Sequence, residues 1–331
     1  MAIDLRGATR ALALLGAPEL DALHLIDAAE LARQYYPLFD PSAATLVLNL
    51  GAADTARLRA VLLQAYPGSH AVKLIGEAAR EARLEELAAT TDAWALFAPP
   101  LPYPGGYAAL QNVSARLRAP DGCPWDRELT WAKLRPFLLE ETHELLAALD
   151  AEDPRKVLEE EGDLLLQISL QAQIATENGQ YRFPEVVRAI VEKLIRRHPH
   201  VFDEVEVNGT DEVLANWEAI KAAERAKSGE KKSPLAGVPK GLPALAQAEA
   251  YLDRMSRLRT SAPPREPWGV APWEPLANLG QDEQLTSEAL GQALFGLVAW
   301  AMARGVEAES ALREANARFA AEVAASADRA N

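Results

Sequence analysis

Between residues 130 and 197 apolar side chains recur at helical spacing over three long segments, 130–149, 154–177 and 183–197, and this periodicity constrains the fold more than any other feature. Asp153 followed by Pro154 pairs an N-cap residue with a first-turn proline, so one helix ends near Asp150 and the next begins at Pro154. A connection that short predicts two antiparallel helices.

Each of these helices carries acids beside its apolar stripe. Glu141 and Glu144 are three residues apart and Glu140 is four from Glu144, so all three project within an arc of roughly 100°. Leu138, Leu145 and Leu149 fill the neighbouring arc. On the next helix Glu160 and Asp163 are again three apart, next to Leu164 and Ile168. Antiparallel packing lets the two acidic faces meet. Like charges at this spacing destabilise a helix unless something positive sits among them. A solvated acidic face is the ordinary reading of one Glu-x-x-Glu pair, but two pairs on consecutive helices point to a divalent cation. Mg2+ and Mn2+ are the hard ions that prefer carboxylate oxygens. A di-iron bundle needs two Glu-x-x-His motifs. The chain offers one, at Glu140 and His143, so His143 is read as an exposed helical residue.

Cations follow downstream. Lys193 and Arg197 are four apart with Arg196 beside them, His198 and His200 flank Pro199, and Trp217 and Lys221 repeat the four-residue spacing. Taken alone they read as surface charge, but beside an acidic metal site they suit a triphosphate.

The first 104 residues alternate differently. Strand-like runs at 43–51 and 70–76, a helix at 53–66 and a strand-like run after Trp94 predict a small α/β domain, closed by the proline-rich stretch 99–106. No glycine-rich phosphate loop is present there. The expected domains are 1–104, a catalytic helical domain at 107–227, a lysine-bearing linker at 228–241, and a second helical domain at 242–331 interrupted by a loop at 261–275. The fold class is therefore α+β overall: a small α/β domain, then an all-α region. At 331 residues the chain has roughly two domains' worth of length. Its net charge of −14 argues against a nucleic-acid surface, and the single cysteine, Cys123, fits a reducing compartment. The apolar run after Arg10 is too short for a signal peptide, and no apolar stretch approaches the ~20 residues of a membrane span. A soluble cytoplasmic protein with no membrane or nucleic-acid partner is expected.

The stretches GCPWDRELTW, EETHE, EEGDLLLQ, RRHPHVF and NWEAIK occur in the order and spacing of the MazG nucleoside triphosphate pyrophosphohydrolases, which the chain resembles closely over 110–226. The resemblance implies an all-α homodimeric module in which Glu141, Glu144, Glu160 and Asp163 hold Mg2+, with Mn2+ as the alternative ion. It implies hydrolysis of a nucleoside triphosphate to the monophosphate and pyrophosphate. Glu140 is the candidate to orient or deprotonate the attacking water, or to hold a second ion. Lys193, Arg197 and Lys221 would contact phosphates. Trp217 either stacks on a base or packs in the core, and Trp125 either lines the base pocket or packs.

Relatives of this type commonly carry two copies of the module, and the C-terminal half resembles a second, degenerate one. Placing Gly291 on Gly162 sets Ala289 at the position of Glu160 and Gln292 at that of Asp163, while Arg318 and Glu322 stand where Lys193 and Arg197 do. Activity is accordingly expected from the first copy only. The N-terminal domain resembles the later part of a tetrapyrrole methylase domain, without the part that binds S-adenosylmethionine. The alternative function is a catalytically weak nucleotide-binding regulatory or scaffolding protein.

Overall fold

A computed structural model describes residues 4–87, 92–103, 105–227, 238–258 and 286–330. The expected loop at 261–275 and the first ten residues of the expected linker lie outside the described residues. The chain divides into two compact units, Met1–Glu144 with Leu158–Val186, and Leu145–Val157 with Val187–Asn331.

The first unit opens with an α/β sandwich. Its elements are α1 (Leu5–Leu14), β1 (Leu23–Asp27), α2 (Ala28–Ala32), β2 (Ala44–Leu48), α3 (Thr55–Leu62), β3 (Ala71–Ile75), β4 (Ala79–Arg83) and β5 (Ala95–Ala98). The strands are ordered β1-β2-β5-β3-β4. The β1–β2 pair is parallel and the other pairs are antiparallel. Every residue of β2 and β5 is buried, as expected for central strands covered on both faces. Val47 and Leu96 pack with Leu31, Leu58 and Leu62 of α2 and α3, while Leu46, Leu48 and Phe97 pack on the other face with Ala8 and Ala11 of α1. Asp4, Asp27 and Asp54 cap the three helices by accepting from first-turn amides. The outer strand β4, sequence AREAR, is charged, which discourages further strand pairing.

The helical part of this unit begins with α4 (Tyr107–Arg118) and α5 (Pro124–Arg127) and continues into α6 (Trp131–Asp150) and α7 (Pro154–Glu177), whose joined ends, Leu145–Val157, belong to the second unit. Between α4 and α5 the backbone turns so tightly that a Cβ on Gly122 would lie 2.2 Å from the Leu117 carbonyl oxygen. Pro124 then starts α5, where a missing N–H costs nothing. Arg118, with a side chain only 7% exposed, ties this turn down: it pairs with Glu177 at 2.7 Å and donates to the carbonyls of Asp126 and Leu129. A buried polar chain joins α4 to α7. Ser114 and Ser169 hydroxyls lie 2.7 Å apart, Ser169 donates to Gln111 at 3.1 Å, and Gln111 donates to Gln173 at 2.9 Å.

Helix α6 tolerates Pro136 in its second turn; the carbonyl of Ala132 left free by the proline accepts from Arg135 Nε at 3.5 Å. Asp153 caps α7 by accepting from the amides of Arg155 and Lys156, and Gly179, at φ +68°, follows its C-terminal end. The two helices run antiparallel. Leu134 packs with Leu170 and Ile174, and Trp131 donates to the Gln171 carbonyl at 3.1 Å, while Glu141 and Glu144 approach the other end of α7.

The second unit contains most of α8 (Phe183–Arg197), then α9 (Pro199–Phe202), α10 (Thr210–Lys227), α11 (Ala244–Leu258), α12 (Ser287–Met302) and α13 (Ala308–Ala330). Ala248 and Leu252 of α11 pack on Val298 and Ala299 of α12. Arg313 of α13 grips Asp150, the last residue of α6, with hydrogen bonds of 2.7 and 3.2 Å. Among the described residues no helix is long and apolar enough to cross a membrane.

Candidate metal centre

Helical spacing sets the acids on facing sides of α6 and α7, and the antiparallel hairpin brings them together. One oxygen from each of Glu141, Glu144 and Glu160 lies within 4.8 Å of the others; Glu141 and Glu160 are half-buried and Glu144 is exposed. Asp163 is outside this trio, but after burial its charge is the largest influence on Glu141. Burial, then Asp163, Glu144, Glu140 and Glu160, push the Glu141 carboxyl above its ordinary range. Glu160 is raised too, by desolvation first and then by Glu144, Glu159 and Asp163, with a hydrogen bond to Glu144 adding to the effect. Carboxylates crowded in this way resist ionisation, and a cation among them removes the penalty. Among the described residues no histidine or cysteine joins the trio, and His143 is exposed, as expected. An all-oxygen donor set suits a hard divalent ion rather than zinc or copper.

Glu140 is exposed and acts on Glu141 through its charge. Trp125 is 59% exposed and meets Phe137 edge-on at 5.7 Å, so its ring is not buried in the core. The apolar groove of about 440 Å3 in this unit is lined by Tyr36, Tyr107, Leu110, Val113 and Leu165 and by none of these acids.

The candidate cations belong to the second unit. Lys193 is exposed on α8. Arg197 pairs with Glu224 at 2.6 Å, and Arg196 reaches the same carboxylate at 2.7 Å. Hydrogen bonds from Arg197 and then Arg196 depress Glu224 to about 2. Trp217 is half-buried, with the Arg197 guanidinium 6.0 Å from its ring centre and His198 edge-on at 4.9 Å. Lys221 pairs with Glu218 at 2.8 Å. Arg197 and Trp217 thus come together, while Arg197 and Lys221 each already hold a carboxylate.

Three residues, two in the first unit and one in the second, were not singled out from sequence. Glu224 and Arg118 act through partners remote in the chain, which no local spacing reveals. Gln167, the last residue of EEGDLLLQ, is only 6% exposed, although a glutamine ordinarily reads as surface.

Residues 129–202, which span the acidic hairpin, match the family model of the MazG nucleotide pyrophosphohydrolase domain. The chain is 38% identical over 218 residues to the nucleoside triphosphate pyrophosphohydrolase of Escherichia coli (strain K12), an alignment covering 63% of this chain and 82% of that protein. It is 36% identical over 217 residues to the nucleoside triphosphate pyrophosphohydrolase/pyrophosphatase MazG of Thermotoga maritima, covering 64% and 82%. The uncharacterized protein YabN of Bacillus subtilis (strain 168) is 46% identical over 142 residues; the chain spans 29% of its length. An acidic helical hairpin inside the matched segment, together with relatives aligned over four-fifths of their length, places this chain in the MazG family of nucleoside triphosphate pyrophosphohydrolases.

Proposed function

We propose that the α6–α7 hairpin hydrolyses nucleoside triphosphates to monophosphate and pyrophosphate with Mg2+, or Mn2+, held by Glu141, Glu144, Glu160 and Asp163. The observation that carries this reading is the convergence of three carboxylates within 4.8 Å. A bound cation would neutralise phosphate oxygens and lower the pKa of water. Glu140 orients the attacking water and takes its proton. The water oxygen bonds to the α-phosphorus as the bond to the bridging oxygen breaks, and pyrophosphate leaves in line. Lys193, Arg197 and Lys221 are assigned to phosphate contacts, Arg197 by exchanging the Glu224 carboxylate for a phosphate. Trp125, exposed and braced by Phe137, is assigned to the base. Trp217 is assigned to packing around Arg197. Pyrophosphate release measured with Mg2+ and then with chelator tests the reading, and product that survives chelation contradicts it.

The domain division of 1–104, 107–227, 228–241 and 242–331 belongs to the same proposal. Ala289 and Gln292, standing where the first copy has Glu160 and Asp163, support a degenerate second copy without activity. The N-terminal domain, with its five-stranded sheet, is assigned to a methylase remnant that does not bind S-adenosylmethionine on the strength of its sequence resemblance. On α8, Val187, Ile190, Val191 and Leu194 form an exposed apolar stripe, which supports a homodimer. The charge of −14 disfavours nucleic acid and acidic lipid as partners, and a lone cysteine suits the cytoplasm.

A further inference from the structure

We propose that Gln167 is a positioning residue of the metal centre, its Oε1 accepting a hydrogen bond from a water in the hydration shell of the cation; this rests on the cation-binding reading above. Gln167 is 6% exposed, and its Oε1 is buried with no hydrogen-bond partner among the described residues. Buried polar atoms are satisfied in almost all native proteins, so an orphaned acceptor marks a place where a donor is to arrive.

The location narrows what that donor is. At 100° per residue Glu160, Asp163 and Gln167 fall within an arc of roughly 60° on α7, so Gln167 belongs to the face that carries the acids. Ser169 and Gln173 lie on the opposite face, where they bond with Ser114 and Gln111 of α4. Following the antiparallel pairing from Glu141 beside Asp163 to Leu134 beside Leu170 sets Gln167 opposite the turn of Phe137 and Leu138. Those side chains are apolar and carry no donor. The neighbouring acids, once ionised, are acceptors only. Among the described residues nothing supplies the donor, and a bound water would fill that role. Ions such as Mg2+ keep several of their waters when bound by carboxylates, and those waters are strong donors. Gln167 follows Asp163 by four residues, a rise of about 6 Å along the same face of α7.

Two shape-conserving variants, Gln167→Met and Gln167→Leu, test the assignment in the full-length protein. The readouts are Mg2+ affinity by calorimetry and Tm with chelator or with saturating Mg2+. The expected result is a Tm in chelator no lower than that of the parent, a Mg2+ affinity weakened about 10- to 100-fold as for other outer-sphere groups, and a smaller rise in Tm with Mg2+. Unchanged Mg2+ affinity with a lower Tm in chelator would overturn the assignment and make Gln167 a packing residue. Unchanged Mg2+ affinity with a raised KM for the triphosphate would also overturn it, assigning the donor to the nucleotide. If the parent protein binds no Mg2+, the cation reading itself falls; if the parent binds and the variants match it, only the role of Gln167 does.

Discussion

The carboxylates of the α6–α7 hairpin repel one another. Glu141 and Glu160 titrate above their ordinary range because they are partly desolvated and surrounded by acids. A raised carboxyl pKa means that the folded protein without metal binds protons more tightly than the unfolded chain. The cluster's contribution to stability is therefore fully present below the ordinary carboxylate range, about 4.3, and is lost as pH rises through the raised values. A cation reverses the penalty only when the acids are ionised. We predict that the rise in Tm caused by Mg2+ is larger at pH 8 than at pH 5; equal rises at the two pH values would contradict the geometry. Glu141→Ala and Asp163→Ala are expected to reduce metal-dependent pyrophosphate release by more than about 100-fold, beyond the usual effect of an outer-sphere change. Circular dichroism should show unchanged helix content in both. Gly122→Ala is expected to destabilise the protein by about 1–3 kcal/mol, because its Cβ would strike the Leu117 carbonyl and force the α4–α5 turn open. Denaturant unfolding measures that loss. That each helix carries its acids on one face was legible in the sequence, because i, i+3 spacing alone sets it. The burial of Gln167 was not, since it depends on which face α6 covers.

At the element scale the helices were the more legible part. The expected segment 154–177 coincides with α7, whose start is fixed by Asp153 and Pro154 and whose end is followed by Gly179 in the left-handed region. The expected strands at 43–51 and 70–76 contain β2 and β3, shortened at both ends. Two strands escaped notice for opposite reasons. β4 is dominated by charged residues and joins the sheet only by pairing with β3, and β1 sits half-buried at an edge with no clean alternation. Nor does local pattern explain Asp150, an anion at the C-terminal end of α6, where the helix dipole disfavours it. Arg313 compensates from 163 residues away with a bidentate ion pair in which both side chains are 27% exposed. We predict that Arg313→Ala costs about 1 kcal/mol in chemical denaturation, and that Asp150→Asn recovers part of that loss in the Arg313→Ala background. Full additivity of the two losses would mean that the pair is not coupled.

Among the described residues the chain comprises an α/β sandwich, an acidic helical hairpin and a helical C-terminal region. The change from strand-like to helical periodicity near residue 104 was readable from sequence, because the period of apolar residues changes there. Partners distant in the chain, such as Arg197 with Glu224, were not, because nothing local specifies which helix an arginine will meet. Product analysis on the protein decides whether the acidic hairpin is a metal-dependent pyrophosphohydrolase site. The protein would be incubated with a panel of nucleoside triphosphates, with Mg2+ and then with chelator, alongside Glu141→Ala. Nucleoside monophosphate and pyrophosphate are expected from the parent protein with metal only, and little from the variant. Nucleoside diphosphate with inorganic phosphate as products, or turnover indifferent to both chelator and Glu141→Ala, would contradict that role.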